Sequence, residues 1–420
     1  MSKILKILLL AFVARLVLAF IFWHPDVNNH IDWGIRFWQY GSREFYSQNV
    51  WSFTWPNQPP GTMYLFAGVR KLFEFVFSIF WFINLKVPPF PSNVMYFLET
   101  NLYPALLKLP SILADLGIAY VIYKLLREKK ESLGILGAIL FLVNPVVWYN
   151  SAVWGQTDAV VNFFAILAFY LLIKKKLVLA GLSLALSFYF KASLLIFLPI
   201  FAIVVLKQKY KITEIIKAVA LPAIAIGLLT LPFSGGDPFG WLYEIYAKKV
   251  FTQQLQVITA NAFNIWAAIA GIHELPHSIA LGPLSYKLWG QILFGTSLIP
   301  ALYLVLKKQD TKSIFWSLAI VSFSSFIFLT NMHERYIYPL FPALTVLAVL
   351  EAKLLPLYWG VSGISVLNLY NFWWYPRIEP IVNFLSFRDR LMPRVLGALN
   401  FGLFAYFYAK FLRLLKAARL

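Results

Sequence analysis

The sequence contains no cysteine, few acidic residues and few charges of either sign. Its 420 residues include 18 Asp and Glu and are 13% charged, whereas 60% are hydrophobic. The lack of cysteine excludes disulfides and thiolate chemistry and leaves the redox compartment undetermined. A soluble domain carries about 25% charged residues, so these shortages predict an all-α polytopic membrane protein.

The net charge of +19 arises from 37 Lys and Arg residues, which gather in short connectors. The connectors are 3–6, 127–130, 174–176, 207–217, 307–312 and 410–419. They alternate with aromatic-rich loops that contain acids, as the positive-inside rule predicts for cytoplasmic connectors facing anionic lipids. No basic soluble domain is visible, so the sequence predicts membrane lipids as partners and no nucleic-acid binding.

Placing these connectors in the cytoplasm predicts about twelve transmembrane helices with both termini inside. The predicted helices are 4–22, 104–126, 133–151, 158–173, 177–190, 192–206, 214–233, 287–306, 313–330, 336–352, 354–373 and 394–412. The first is too long and too evenly apolar for a cleaved signal peptide, so we expect it to be retained.

The whole chain, 1–420, is expected to form one membrane domain, because no internal repeat or low-complexity tract is visible. Three extracytoplasmic segments are predicted, at 23–103, 234–286 and 374–393. The first is far longer than a connector needs to be. Within it, residues 66–85 are apolar but contain three charged side chains, which favours an amphipathic helix on the membrane surface.

Three ionisable groups stand side by side at His333, Glu334 and Arg335, between two apolar stretches. A single Arg or Lys at such a place is usually an interfacial anchor, but a mixed cluster is typical of a site for a polar substrate. His333 and Arg335 suit a phosphate. Lys191, at a predicted outer turn, either snorkels or contacts the same phosphate.

Four acids are candidates for chemistry or for structure. Asp26 follows the first helix and either caps the next helix or acts as a general base. Asp32 is interpreted as a surface or structural acid. Asp158 is either an N-cap or a substrate contact. Asp115 lies inside a predicted span, where we expect it to pair with a polar group or line a cavity.

The remaining candidate substrate contacts are amides and aromatic side chains on the predicted outer loops. They are Gln58, Trp154, Gln156, Asn261, Asn264, Trp266 and Tyr336, together with Asp32 and Asp158. The two asparagines could bind a sugar while Trp266 stacks on its ring, or they could satisfy backbone groups in the loop. Gln58 belongs to a rigid proline-rich turn that could position a loop over a cleft.

These pieces resemble the GT-C superfamily of membrane glycosyltransferases that use polyprenyl-phosphate sugars. The resemblance is strongest to the lipid-linked oligosaccharide glucosyltransferases and the second GPI mannosyltransferase, with their prokaryotic relatives. The matching motifs are 26–33 with Tyr46, 58–60, 154–158, 190–192, 261–266 and 333–336. Two departures leave the sugar undetermined: the turn usually written Tyr-Pro-Pro begins with Gln58, and Arg335 replaces the Lys of the glucosyltransferases.

The resemblance implies that Asp26 is the catalytic base and that His333, Glu334 and Arg335 contribute to binding the donor phosphate. It also implies a reaction without a metal ion or other cofactor. We therefore expect inverting transfer of mannose or glucose from a polyprenyl-phosphate donor to a glycolipid or glycoprotein acceptor. The site would be extracytoplasmic, on a multi-pass protein of a prokaryotic plasma membrane.

Three alternatives remain open at this point. A transporter or flippase of lipid-linked sugars would show internal repeats and charges at the membrane midplane. A structural or assembly subunit would not need Asp26. Metal-dependent oligosaccharyl transfer would need several carboxylate or imidazole ligands, for which His30 and Asp32 near Asp26 are candidates.

Overall fold

The structure is a computed structural model that describes residues 2–250 and 255–417. These residues are predominantly helical and contain one two-stranded hairpin, so the predicted all-α membrane fold is confirmed. The helices of the first half are α1 Lys3–Ile21, α2 Val27–Glu44, α3 Pro60–Lys86, α4 Asn93–Leu126, α5 Glu131–Val143, α6 Pro145–Trp148, α7 Asp158–Ile173, α8 Leu177–Phe190, α9 Leu198–Lys207 and α10 Ile212–Ser234.

The second half contains shorter helices and one small hairpin. Its elements are α11 Pro238–Glu244, α12 Ile265–Ala270, the antiparallel strands β1 Ala280–Leu281 and β2 Leu284–Ser285, α13 Tyr286–Lys307, α14 Thr311–Phe328, α15 Leu340–Leu350, α16 Leu355–Tyr370 and α17 Glu379–Ala417. Single turns of other helix types lie at Tyr149–Trp154, Ala192–Phe197, Ile245–Val250, Glu334–Ile337 and Ala352–Leu354.

Six of the described helices are long and apolar enough to cross a membrane, and a bent pair could make a seventh. Fewer helices than the predicted twelve or so therefore have the length and the apolar composition of a full membrane span. Three of the predicted spans coincide with shorter apolar helices, α7, α8 and the segment Ala192–Lys207. The sequence pattern located these segments at their short length, which is below the roughly 20 residues that a helix needs to cross a membrane.

Several helices extend beyond the predicted spans. The second predicted span starts at 104, whereas α4 begins at Asn93, inside the predicted outer segment 23–103. Likewise α17 begins at Glu379, inside the predicted segment 374–393, and leaves helical geometry at 387–390. Residues 66–85 lie within α3 and do form a helix. Within the predicted segment 234–286, residues 251–254 lie outside the described part.

The predicted span 133–151 is broken where α5 meets α6, and the two pieces are bent by 52°. Proline at 145 cannot donate a backbone hydrogen bond and disfavours helical geometry in the residue before it. Asn144 is accordingly extended, and its Oδ1 accepts from the amide of Val146 at 2.9 Å. The break turns the chain from Tyr149 to Trp154 toward the end of the helix bundle where the candidate site lies.

A buried polar cluster ties four helical segments together inside the bundle. The Asp115 carboxylate lies 3.6 Å from Nε of Arg15 and accepts hydrogen bonds from Ser151 Oγ at 2.5 Å and from the Tyr338 hydroxyl. The expectation that Asp115 pairs with another polar group is confirmed. A buried charge without such partners would be very costly.

Tyr338→Phe is therefore expected to destabilise the protein without changing its shape. The substitution removes one hydrogen bond to a buried carboxylate, which costs about 1.5–3 kcal/mol. The midpoint of thermal unfolding in detergent, followed by circular dichroism, would measure the loss. Tyr406→Phe is the matched control, because Tyr406 is 51% exposed, and equal midpoints for the two variants would contradict the prediction.

Candidate active site

Four segments at one end of the bundle supply most of the wall of a cavity of about 540 Å³, which we call the Asp26 cavity. They are the connection between α1 and α2, the proline-rich turn before α3, the turn after α8 and the loop between α14 and α15. Its lining residues are Asp26, Thr54, Asn57, Gln58, Pro59, Lys191, Ala192, Ser193, Leu255, His333, Arg335, Tyr336 and Trp373. The structure thus brings together the predicted base and three of the four predicted phosphate ligands.

Asp26 occupies the N-cap position of α2, but its side chain makes no capping hydrogen bond. Instead the carboxylate accepts hydrogen bonds from Asn29 Nδ2 at 2.8 Å, from Trp154 Nε1 at 3.1 Å and from Gln156 Nε2. Two of these donors come from a distant part of the chain. The Asp26 carboxylate therefore does not cap α2, so the capping interpretation is wrong. Its three hydrogen bonds hold it at the wall of the cavity.

The surroundings of Asp26 favour its ionised form. Burial alone would raise the pKa of this carboxyl, but the positive charge of Arg335 and the Trp154 hydrogen bond help to lower it below its ordinary value of 3.8. The group is therefore a carboxylate at neutral pH. An ionised, partly desolvated carboxylate is what a general base requires.

Gly155 explains why Trp154 and Gln156 can reach Asp26. The chain reverses there with a φ of 83°, and a Cβ at this position would lie 2.9 Å from Lys108 Cγ and 3.1 Å from Val27 Cγ2. Glycine adopts this conformation without a steric penalty and leaves room for both neighbours. The donors on either side of the glycine can then point at the same carboxylate oxygen.

Asp158 holds the two predicted phosphate-binding cations together. Its carboxylate lies 2.8 Å from Lys191 Nζ and 3.7 Å from Arg335 Nε. Thr157 occupies the N-cap position of α7, and Asp158 is the first helical residue, so the N-cap interpretation of Asp158 is wrong. Lys191 does not snorkel, because its ammonium is paired here and lies 4.9 Å from the centre of the Tyr336 ring.

The three residues of the His333 cluster carry different charges. Burial, together with the charges of Arg335 and Lys191, lowers the pKa of His333 to about 3, so its imidazole is neutral at pH 7. Burial disfavours the charged form of Arg335 and would lower its pKa. Tyr336 and the carboxylates around the guanidinium nevertheless raise the pKa of Arg335 above its ordinary value. Arg335 and Lys191 supply the positive charge, and His333 can offer only a neutral hydrogen bond.

Glu334 is buried beside Arg335 and faces a neighbouring cavity. Its Oε1 lies 3.3 Å from Arg335 Nη1, and burial raises the pKa of the Glu334 carboxyl. The neighbouring cavity has a volume of about 470 Å³ and is lined by Glu334 and Asn261, among others. We call it the His273 cavity. Its lining residues are Leu255, Val257, Thr259, Ala260, Asn261, Ile272, His273, Glu274, His333, Glu334, Phe372, Trp373 and Arg390.

Two residues that the sequence predicted to contact a sugar, Asn264 and Trp266, instead stabilise the fold. Asn264 caps α12 by accepting hydrogen bonds from the amides of Trp266 and Ala267, both at 3.1 Å. The Trp266 side chain is buried and donates to the carbonyl of Phe328 at 2.6 Å. Neither side chain reaches the Asp26 cavity, because both are used to fix the loop that precedes α12.

Asp32 has a structural position, as the sequence predicted. Its two oxygens accept hydrogen bonds from the Ser52 amide at 2.9 Å and from Arg36 Nε at 3.3 Å.

Gln58 and Tyr336 line the Asp26 cavity, and Gln58 Oε1 accepts from the Thr157 hydroxyl at 3.4 Å. Among the described residues, no three His, Asp or Glu side chains gather so that they could hold a metal ion.

Sequence reasoning missed His24 and Trp373. The His24 ring packs 4.6 Å from that of Trp154 and 4.7 Å from that of Trp373, and its Nδ1 accepts from the amide of Asp26 at 3.2 Å. Burial lowers the pKa of His24 to about 3, so the ring is a neutral support for the Asp26 backbone. The adjacent tryptophans Trp373 and Trp374, in a predicted outer loop, were the sequence pattern that could have identified Trp373.

Comparison with protein families gives one match. Residues 75–329, more than half of the chain, match a family model described as GPI transamidase subunit PIG-U. The chain belongs to the PIG-U family. This is a GT-C-like family of multi-pass membrane proteins, so the membrane fold and the broad resemblance are confirmed. Relationship to the mannosyltransferases or glucosyltransferases in particular stays a prediction. No curated protein sequence matches the chain significantly.

The PIG-U match covers only part of the site. It includes Trp154, Asp158 and Lys191, but it begins after Asp26 and ends before His333. The family match therefore supports the helical framework and one wall of the Asp26 cavity. The candidate base and the candidate cation Arg335 are supported by their geometry and by the motif resemblance.

Proposed function

We propose that this PIG-U family protein is an inverting hexosyltransferase. The donor would be a polyprenyl-phosphate mannose or glucose, and the acceptor a lipid-linked glycan or a protein on the extracytoplasmic face. One observation carries the proposal: an ionised carboxylate, Asp26, and two cationic side chains, Arg335 and Lys191, line the same cavity. Glycosyl transfer from a phosphate needs a base for the acceptor and positive charge for the leaving group.

The proposed reaction is a single displacement at the anomeric carbon. Asp26 takes the proton of an acceptor hydroxyl while the acceptor oxygen forms a bond to C1 of the hexose. The bond between C1 and the phosphate oxygen breaks, and its electron pair leaves with the phosphate. The products are the glycoside, the polyprenyl phosphate and a protonated Asp26, which then loses its proton to water.

The cations would stabilise the charge that develops on the phosphate as this bond breaks. The Arg335 side chain is only 15% exposed, so its charge acts through little intervening water. Asp158 keeps Lys191 and Arg335 close to each other in spite of their like charge. Glu334 would orient Arg335 through their contact at 3.3 Å and take no part in proton transfer.

A transfer assay tests this proposal directly. The purified protein in phosphatidylcholine nanodiscs would be incubated with radiolabelled polyprenyl-phosphate mannose or glucose and an octyl glycoside acceptor. We expect radiolabelled disaccharide glycoside, and we expect it to form about 10²–10⁴-fold more slowly with Asp26→Asn. Folded protein that transfers neither sugar to glycoside or lipid extract acceptors would reject the proposal.

The family description favours one second candidate, because PIG-U is described there as a subunit of GPI transamidase. In that case the protein would bind a glycolipid for a partner and would transfer no sugar, as the alternative of an assembly subunit requires. Binding of glycolipid without turnover, unchanged by Asp26→Asn, would favour this candidate. Dependence of glycan assembly on the Asp26 carboxylate would favour the transferase.

The proposed orientation places the Asp26 cavity outside and the basic connectors inside. The chain has no native cysteine, so single cysteines can report the topology. A membrane-impermeant maleimide should label Ser52→Cys in intact cells and label Lys175→Cys only after the cells are opened; both positions are exposed. The reverse pattern would place the cavity on the cytoplasmic side.

A further inference from the structure

A small cavity of about 90 Å³ adjoins the Asp26 cavity, and we call it the annex. Its lining residues are Asp26, Asn29, His30, Trp33, Thr54, Asn57, Gln58, Gln156 and Arg335. Every one of these side chains carries a hydrogen-bonding group. Since a water molecule takes about 10–15 Å³ of such a volume, the annex has room for roughly six to nine waters. A lipid chain would find no apolar wall there.

His30 is the residue in the annex without a role in the reaction described above. It is 2% exposed, its ring stacks on Phe66 with 4.4 Å between ring centres, and its Nδ1 has no hydrogen-bond partner among the described residues. Burial lowers the pKa of His30 to about 4, so the neutral ring can donate at one nitrogen and accept at the other. A buried polar atom without a partner is costly, and a ligand hydroxyl could provide one.

The annex and the Asp26 cavity differ in which charged groups they contain. Lys191 lines the Asp26 cavity and is not part of the annex wall, whereas His30 lines the annex alone. Asp26 and Arg335 line both. Inversion requires the attacking oxygen and the leaving phosphate to lie on opposite sides of the anomeric carbon. Asp26 and Arg335 therefore stand at the boundary between two spaces: the Asp26 cavity adds the Lys191 ammonium, and the annex adds the His30 imidazole with the amides of Asn29 and Gln156.

We propose that the annex is the acceptor subsite and that it binds hydroxyl groups of a sugar through His30, Asn57 and Gln58. The proposal rests on the transferase function. It implies that the acceptor is a carbohydrate and not a peptide side chain. Amide and imidazole groups match the paired donors and acceptors of a polyol, and Trp33 lines the annex beside them. His30 would act as a specificity-determining residue, and Asp26 would reach the hydroxyl that reacts.

Equilibrium binding tests the annex without requiring catalysis. Octyl α-mannopyranoside and octyl β-glucopyranoside would be titrated into Asp26→Asn protein in phosphatidylcholine nanodiscs and followed by saturation-transfer NMR. In the same background, His30→Phe keeps the stacking on Phe66 but removes both ring nitrogens. Loss of one neutral hydrogen bond should weaken binding roughly 3- to 10-fold. His30→Gln keeps a hydrogen-bonding group and should bind more tightly than His30→Phe.

His273→Phe provides the matched control, because His273 is exposed and lines the His273 cavity. Its binding of the octyl glycosides should equal that of the parent. Weakened binding in His273→Phe, with unchanged binding in His30→Phe, would place the acceptor in the His273 cavity and overturn the proposal.

Kinetics separates this inference from the transferase proposal itself. In active protein, His30→Phe should raise the acceptor KM and leave the donor KM unchanged. Transfer with an unchanged acceptor KM would reject the annex while the transferase function stands. Glycoside binding that depends on His30 in a protein that transfers no sugar would support the annex as a sugar site and reject the transferase function.

Discussion

Asp26→Asn is expected to lower kcat by about 10²–10⁴-fold while leaving the donor KM nearly unchanged. Asparagine preserves the size of the side chain but cannot accept a proton from the acceptor hydroxyl. The measurement is hexose transfer from a polyprenyl-phosphate donor by the purified protein. Because the pKa of Asp26 lies below 3.8, the wild-type base is ionised across the neutral range and loses its function only as the pH falls through that lowered pKa.

Asp32→Asn is the matched control for Asp26→Asn. It removes the same charge six residues away, on a side chain that is bound to Ser52 and Arg36 and does not line the Asp26 cavity. We expect less than about a 10-fold loss of kcat from this change. Near-normal turnover in Asp26→Asn together with a large loss in Asp32→Asn would show that the base is misassigned.

Arg335→Ala is expected to raise the donor KM and to lower kcat by about 10²–10³-fold. The guanidinium is largely shielded from water, and the charge on the phosphate grows as the glycosidic bond breaks, so the contribution of Arg335 is larger in the transition state than in the bound donor. Steady-state kinetics with varied donor concentration measures both effects.

Arg335→Lys should retain more activity than Arg335→Ala, because it keeps a cation near the phosphate. The matched control is Arg377→Ala, since the Arg377 side chain is 63% exposed and pairs with Glu379 on the surface. Its kinetics should equal those of the wild type. Folded Arg335→Ala protein with wild-type kinetics would remove the His333 cluster from the site.

Much of the helical framework could be predicted from the sequence, because a membrane requires long apolar segments. The bounds of α7 and α8 coincide with the predicted spans 158–173 and 177–190. The break at Pro145 was missed, since the residues that flank the Asn144–Pro145 pair are apolar and continue the pattern on both sides. Helices α4 and α17 extend beyond the membrane-like composition that defined the predicted spans.

The members of the site were easier to predict than their partners. Asp26, Lys191 and Arg335 were selected because charges near a membrane are rare, and the structure places all three around one cavity. Asn264 and Trp266 looked equally suited to a sugar, but their burial depends on how the loop packs against α14, which no local pattern reveals. His30 was noticed only as a candidate metal ligand, because its unpaired nitrogen is visible only in three dimensions.

The carboxylate of Asp158 gives the site an internal counterion. Lys191 and Arg335 are already paired with carboxyl groups before any substrate arrives, since Asp158 lies near both and Glu334 lies 3.3 Å from Arg335. Small anions such as chloride or free phosphate would have to compete with a tethered carboxylate for Lys191 and Arg335. A lipid-linked phosphate has the further advantage of being concentrated in the bilayer. The site would therefore discriminate against soluble anions through competition, with no need for a lid that excludes them.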